Sequence, residues 1–211
     1  MAISTPGGPL VYDEHNYLGE DPGLTRVYDN VMGTVPGVLL PAVKMVVWNA
    51  IEEFYWRSTW RRELLNWCMP DHVICVDFNP FDGNWLVTWV LDVYGHGRYT
   101  VRPPSMIVDI STPPSSGARE GKALVALKPV SLDAEFDPQL FMNWFETILD
   151  GTLYRLYLQP AKPYSSPQLA SAHARQFRVG CQRARAIAQK QYTNGTGSWA
   201  FNYYAAGRRK S

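Results

Sequence analysis

The chain has 211 residues, 46% of them apolar and 18% charged, enough of the first to bury a core and too little of the second for a disordered polypeptide. No apolar run reaches the roughly 18–20 residues that span a bilayer, and the opening Met1-Ala2-Ile3-Ser4-Thr5-Pro6 has neither the basic nor the apolar stretch of a secretory leader, so membrane, secreted and fibrous classes are not expected. The net charge of +1 conceals a split: residues 1–150 carry all 19 acids and 10 bases, a balance of −9, whereas residues 151–211 carry 10 bases and no acid.

Residues 1–37 read as an irregular lead-in rich in Pro and Gly, with a short helix over Leu24–Met32 that Gly33 closes. Residues 38–70 read as the first part of a helical bundle. There Val43, Val46, Val47, Ala50, Ile51, Phe54 and Tyr55 follow the steps of one helical face. The same period runs on, or restarts after Thr59, through Trp60-Arg61-Arg62-Glu63-Leu64-Leu65 to Pro70.

Residues 71–130 change to a period of two and read as a β-rich insert. Val73–Phe78 and Trp85–Tyr94 are rich in β-branched and aromatic side chains. Gly95-His96-Gly97 suits a tight hairpin turn with Tyr99–Arg102 as the return strand. Met106–Ile110 and Ala123–Leu127 form a further strand pair around the polar loop Ser111–Gly121.

Residues 131–192 return to helix. Asp137-Pro138 is an N-cap followed by Pro at the first helical position, and Leu140, Phe141, Trp144, Ile148, Leu153, Leu156 and Tyr157 give the apolar stripe. After a turn over Lys162–Pro167, a last helix carries Leu169, Ala170, Ala174, Phe177, Cys181, Ala184 and Ala188 on one side, with Arg175, Arg178, Arg185 and Lys190 outside that set. Residues 193–211 form a glycine-linked tail that is aromatic and basic. The expected fold class is α+β: a mainly helical bundle built from both ends of the chain, with an inserted β-rich hairpin region and an extended C-terminal tail.

Catalytic machinery is not visible in this pattern. Cys68-x3-His72-x2-Cys75 gathers three potential zinc ligands, but a structural site wants a fourth and typically paired Cys spacings. Cys75 also falls in an apolar strand, where a cysteine packs as a small hydrophobe. The odd count of three cysteines points to reduced thiols. Glu52 and Glu53 are adjacent on a helix, hence about 100° apart and not convergent; they read as a solvated face or as contacts to a neighbouring subunit's Arg57 or Arg61. Phosphate-cradling glycine motifs and the nucleophile elbow are absent from the sequence. No cofactor, no metal and no enzymatic activity are expected.

The aromatic content, 8 Trp, 12 Tyr and 8 Phe, exceeds what one small core takes up. Tyr55, Trp56, Trp60 and Trp67 are crowded, and Trp199, Phe201, Tyr203 and Tyr204 lie beyond a glycine link with Arg208, Arg209 and Lys210. Aromatic and arginine side chains are enriched at the centres of protein interfaces. A tail of this kind folds back on its own domain or enters a partner, and a partner is the expectation.

Two stretches carry a resemblance. One runs from Val35-Pro36-Gly37 to Phe54-Tyr55-Trp56-Arg57-Ser58-Thr59-Trp60-Arg61, and the other is Asp150-Gly151-Thr152-Leu153-Tyr154-Arg155-Leu156-Tyr157-Leu158-Gln159-Pro160-Ala161-Lys162-Pro163-Tyr164-Ser165. Leu169-Ala170, Phe177 and Ala184-Arg185 follow the second. The order resembles phage head-to-tail adaptor (connector) proteins, whose second pattern is similar to D-G-A-L-x-R-L-x-x-x-P-x-K-P-W-S; Thr152 and Tyr164 depart from it. The resemblance covers about residues 35–65 and 123–190. It implies a non-enzymatic virion protein, assembled in the bacterial cytoplasm, that forms a ring, commonly twelvefold, beneath the portal protein in the neck. The ring presents a docking surface to tail or head-closure proteins, and genomic DNA passes its lumen without sequence reading. The tail residues Trp199, Phe201, Tyr203, Tyr204, Arg208, Arg209 and Lys210 are then the expected portal contacts. The acidic 1–150 region of one subunit beside the basic 151–190 region of the next makes Arg175, Arg178, Glu52, Glu53 and Trp56 the expected subunit contacts. The alternative from another class is a nucleic-acid-binding module using the basic last 61 residues.

Overall fold

The structure, a computed structural model, describes residues 21–69, 75–77, 83–94, 99–102, 107–110, 119–132 and 134–192. The first helix, α1, spans Pro22–Thr34. The Asp21 carboxylate accepts the Gly23 N–H at 2.6 Å, which satisfies one of the donors that a helix start leaves open. Its inner face is Leu24, Val27, Tyr28 and Val31. Helix α2 spans Leu40–Ser58, with Pro41 in its first turn, and every apolar position of its expected stripe from Val43 to Tyr55 is buried.

Beyond α2 the helical expectation for residues 60–70 is wrong. Thr59 adopts a left-handed conformation, φ 49° and ψ 40°, which stops the helix because a left-handed residue turns the chain off the axis. Residues Arg61–Met69 then form strand β1. From Leu64 to Cys68 burial follows a period of two, with Leu65 and Trp67 inward and Leu64, Asn66 and Cys68 exposed. The β region therefore begins at residue 61, ten residues earlier than the pattern predicted.

The remaining strands are β2 (Cys75–Asp77), β3 (Trp85–Tyr94), β4 (Tyr99–Arg102), β5 (Ile107–Ile110) and β6 (Arg119–Pro129). They make two three-stranded antiparallel sheets, in the orders β1-β6-β3 and β2-β5-β4. Strand β3 therefore pairs with β6 and not with β4, and β5 pairs with β2 and β4 and not with β6, correcting both expected strand pairs. The reason lies in β6: Ala123–Leu127 is buried at every position, a central-strand pattern that takes a partner on each edge. The glycine-rich turn at 95–97 permits a hairpin without compelling one, and it lies outside the described residues.

Helix α3 spans Pro138–Tyr157, and its Asp137 cap accepts the Gln139 N–H at 2.9 Å. Helix α4 spans Pro167–Tyr192; the Leu169 N–H reaches the Ser166 hydroxyl at 3.4 Å. Of α4's expected stripe, Ala170, Phe177, Cys181, Ala184 and Ala188 are buried and Ala174 half-buried, whereas Leu169 is exposed. Helix α3 packs against α1, α2 and α4, and α2 packs against α1, α4 and β6 as well. The fold is mixed α+β with helix predominant. No helix among the described residues is long and apolar enough to cross a membrane.

The core joins the helices to the first sheet through aromatic rings. Tyr55 meets Trp85 edge-on at 5.3 Å between centroids, Trp144 meets Trp60 at 5.4 Å, and Arg61 caps the Trp85 ring at 3.9 Å. The buried Tyr55 hydroxyl has no hydrogen-bond partner among the described residues, and burial holds it neutral by raising its pKa. An unsatisfied buried hydroxyl costs about 1–3 kcal/mol. Tyr55→Phe keeps the ring contacts and removes that cost, so it is expected to stabilise the protein by about 1 kcal/mol; a fall in the urea midpoint would contradict this reading.

Candidate functional site

Helix α2 ends with four chemically active side chains, Glu52, Glu53, Trp56 and Arg57. Glu53 is the hub. It takes the guanidinium of Arg57 one turn along its own helix and that of Arg155 from α3, and it accepts the Tyr154 hydroxyl at 3.0 Å. Arg155 also donates to the Gly151 carbonyl at 2.6 Å and to the Asn49 carbonyl on α2 at 3.2 Å. Burial pushes the Glu53 carboxyl up, but the Arg57 hydrogen bond, the Arg155 charge and the Tyr154 hydroxyl outweigh it and hold it below the ordinary 4.5. A carboxylate held ionised in this way has no proton to give near neutrality. It acts as a fastener between helices.

Glu52 points to the sheet side and pairs with Lys128 of β6 at 2.5 Å. Both acids thus find their counter-charges within the chain, on elements that lie far along the sequence. The cleft between them, about 490 Å³, is lined by Asn49, Glu52, Glu53, Trp56, Lys128 and Arg155.

The Asp150–Ser165 motif supplies the other half of the fastening. A Cβ on Gly151 would lie 2.7 Å from the Phe177 ring of α4 and 3.2 Å from Ala50 of α2, so only glycine lets three helices meet there. Thr152 returns its hydroxyl to the Ile148 carbonyl at 2.9 Å, which allows a polar residue at a buried position. Asp150 Oδ1 lies 2.7 Å from His173 Nδ1 on α4, and the His173 ring stacks on Tyr157. The turn that follows contains Ala161 at φ 58°, the Ser166 N–H bonded to the Tyr157 carbonyl at 3.0 Å, and the Tyr164 hydroxyl bonded to Gln159 Oε1 at 2.9 Å.

Trp56 also borders a second groove, of about 300 Å³, lined with it by Arg57, Trp89, Arg178, Cys181, Gln182 and Arg185. Trp56 and Trp89 are 46% and 39% exposed and lie 6.2 Å apart. Arg178 and Arg185, two turns apart on α4, are exposed and make no ion pair among the described residues. Cys181 between them is buried, and burial pushes its thiol up to about 12, so the groove meets a neutral sulfur there.

Of the expected contact residues, Trp56 and Arg178 therefore meet in one groove. Arg175 is exposed one turn before Arg178, and Glu52 and Glu53 line the adjoining cleft, each in an ion pair. Trp199, Phe201, Tyr203, Tyr204, Arg208, Arg209 and Lys210 lie outside the described residues. Cys68 is exposed, and His72 and Cys75, weighed with it as zinc ligands and set aside, fall where no side chain is described. Among the described residues no three His, Cys, Asp or Glu side chains cluster as a metal site. Sequence reasoning missed Trp89, Lys128 and Arg155 as site residues. Arg155 had a signal, its place in the Asp150–Ser165 motif, whereas the other two are placed by sheet pairing alone.

Two outcomes test the fastening. Because Glu53 has a lowered pKa, its contribution is complete above the ordinary value of 4.5 and fades as pH falls through the folded value. Wild type should lose its stability margin over Glu53→Gln, about 2 kcal/mol near neutrality, on acidification below 4.5, as read by denaturation midpoints at a series of pH values. Gly151→Ala should destabilise by about 1–3 kcal/mol through overpacking, whereas Gly33→Ala, where an added Cβ meets nothing within 4 Å, should gain up to about 1 kcal/mol of helix propensity. Equal melting shifts for the two would refute the close approach.

No protein-family model matches the chain, and no characterised protein matches it significantly.

Proposed function

We propose that this chain is a structural adaptor of a tailed-phage neck: a ring-forming protein that sits beneath the portal and joins the capsid to the tail or head-closure proteins. In this reading the two ends of the chain form one helical bundle, the β region is its insert, and the 193–211 segment docks on the portal. The observation that carries it is the use made of the Asp150–Ser165 motif. Asp150, Gly151, Arg155 and the turn to Ser165 are spent on joining α2, α3 and α4, the role expected of a shared motif in a protein whose work is to hold shape. The exposed Trp56, Arg175 and Arg178 remain available as subunit contacts. Glu52 and Glu53 then support the contact from within by fixing α2.

A second reading, a nucleic-acid-binding module, draws on α4, which has five bases and no acid. It is weakened by the overall charge of +1, since phosphate-driven binding favours a net basic domain.

Sedimentation of the purified chain with a portal ring separates the readings. One large complex is expected, and deletion of residues 199–211 should abolish it while circular dichroism stays unchanged. Only free species across salt and protein concentration would overturn the adaptor reading. Tight, steeply salt-dependent binding of duplex DNA by the chain alone would favour the second.

A further inference from the structure

We propose that the groove between α2, β3 and α4 is the socket of a head-to-tail contact between copies of this chain, and that the Met142–Glu146 ridge of α3 is what enters it. The assignment rests on the ring-forming reading and names the surfaces that would make the ring.

The socket has two open tryptophan rings, Trp56 and Trp89, beside two guanidiniums, Arg178 and Arg185, that have no counter-charge among the described residues. Arg57 on its rim is already held by Glu53. Such a socket takes an occupant with an apolar tip and a negative charge close behind it. The basic tail of the same chain carries Arg208, Arg209 and Lys210 and is repelled. A nucleic acid would satisfy the arginines, but the excess of bases after residue 150 is matched almost one for one by the excess of acids before it, leaving +1. The acids before residue 150 are therefore numerous enough for a second copy to supply the counter-charge.

Glu52 and Glu53, one turn before Trp56 and Arg57 on α2, are paired internally, so the partner acid lies elsewhere. Helix α3 offers it. Met142 is 80% exposed, more than any other large apolar side chain described. Glu146 is exposed one turn later, without an ion pair among the described residues. Residues four apart share a helix face, so the thioether and the carboxylate project together. A methionine is suited to an aromatic socket by its flexible, polarizable side chain, with Glu146 left to meet Arg178 and Arg185. Socket and ridge belong to different surfaces of one chain, so the contact is heterologous and propagates from copy to copy until it closes.

The test is a charge-swap cycle on the full chain, read by sedimentation with and without a portal ring, with circular dichroism as the control for folding. Glu146→Lys alone, and Arg178→Glu with Arg185→Glu, should each weaken self-assembly about tenfold or more, and the three together should restore it. In a Cys68→Ser background, Met142→Cys with Gln182→Cys should give disulfide-linked multimers on a non-reducing gel. Wild type that assembles while every swap assembles equally well overturns the socket and leaves the ring reading standing. Wild type that never assembles overturns both. Socket variants that lose binding to a labelled oligo-dT while self-assembly is untouched overturn the proposal in favour of a single-stranded nucleic acid.

Discussion

The pairing of Glu53 with Arg155 is the contact on which the arrangement of helices depends. Neither charge is fully exposed to water, so each needs the other, and removing one would leave its partner desolvated. Arg155 extends the constraint by bonding to the Asn49 and Gly151 carbonyls, so a single side chain sets how α3 is rotated on α2. With that rotation set, Gly151 faces Ala50 and Phe177, and α4 is drawn in against both. The position of Arg178 and Arg185 beside Trp56 follows from this sequence of contacts.

Helix α2 distributes its neighbours by elementary helical geometry. Successive residues point about 100° apart, so Glu52 reaches β6, Glu53 reaches α3, and Trp56 turns to β3 and α4. One turn of helix thereby serves the sheet and both later helices. The left-handed Thr59 then releases the chain into β1, so the end of the fastening helix and the first edge of the sheet are separated by a few residues.

Much of the helical part was legible. The stripes of α2 and α3 are buried as their spacing implies, and Asp137 with Pro138 starts α3 as capping chemistry requires. Strand β1 was not legible because Arg61-Arg62-Glu63-Leu64-Leu65 contains good helix formers, and only pairing with β6, from Arg61↔Leu127 to Met69↔Arg119, decides its state. The strand partners were misassigned for the same reason: local turn chemistry was read, whereas the apolar demand of β6 acts at long range. Trp89 escaped notice because alternation puts it on the face of Trp85 and Val87, while the register shift between Val87 and Trp89 turns it outward. The adjacency argument correctly separated Glu52 from Glu53, but their partners lie 76 and 102 residues downstream, beyond any pattern of spacing.

Those separations bear on the order in which the protein is made. As the chain emerges from the ribosome, α2 appears with only α1 to pack against its apolar face, and its partners in β6 and α3 are synthesised only much later. Loop closure on this scale makes α2 wait for its contacts. The socket waits longer still, because its walls come from α2, β3 and α4. A polypeptide broken off before α4 therefore has the tryptophan pair and Arg57 but lacks Arg178 and Arg185. The fold acts as a completeness check, in which only a fully translated core displays the surface through which copies would meet.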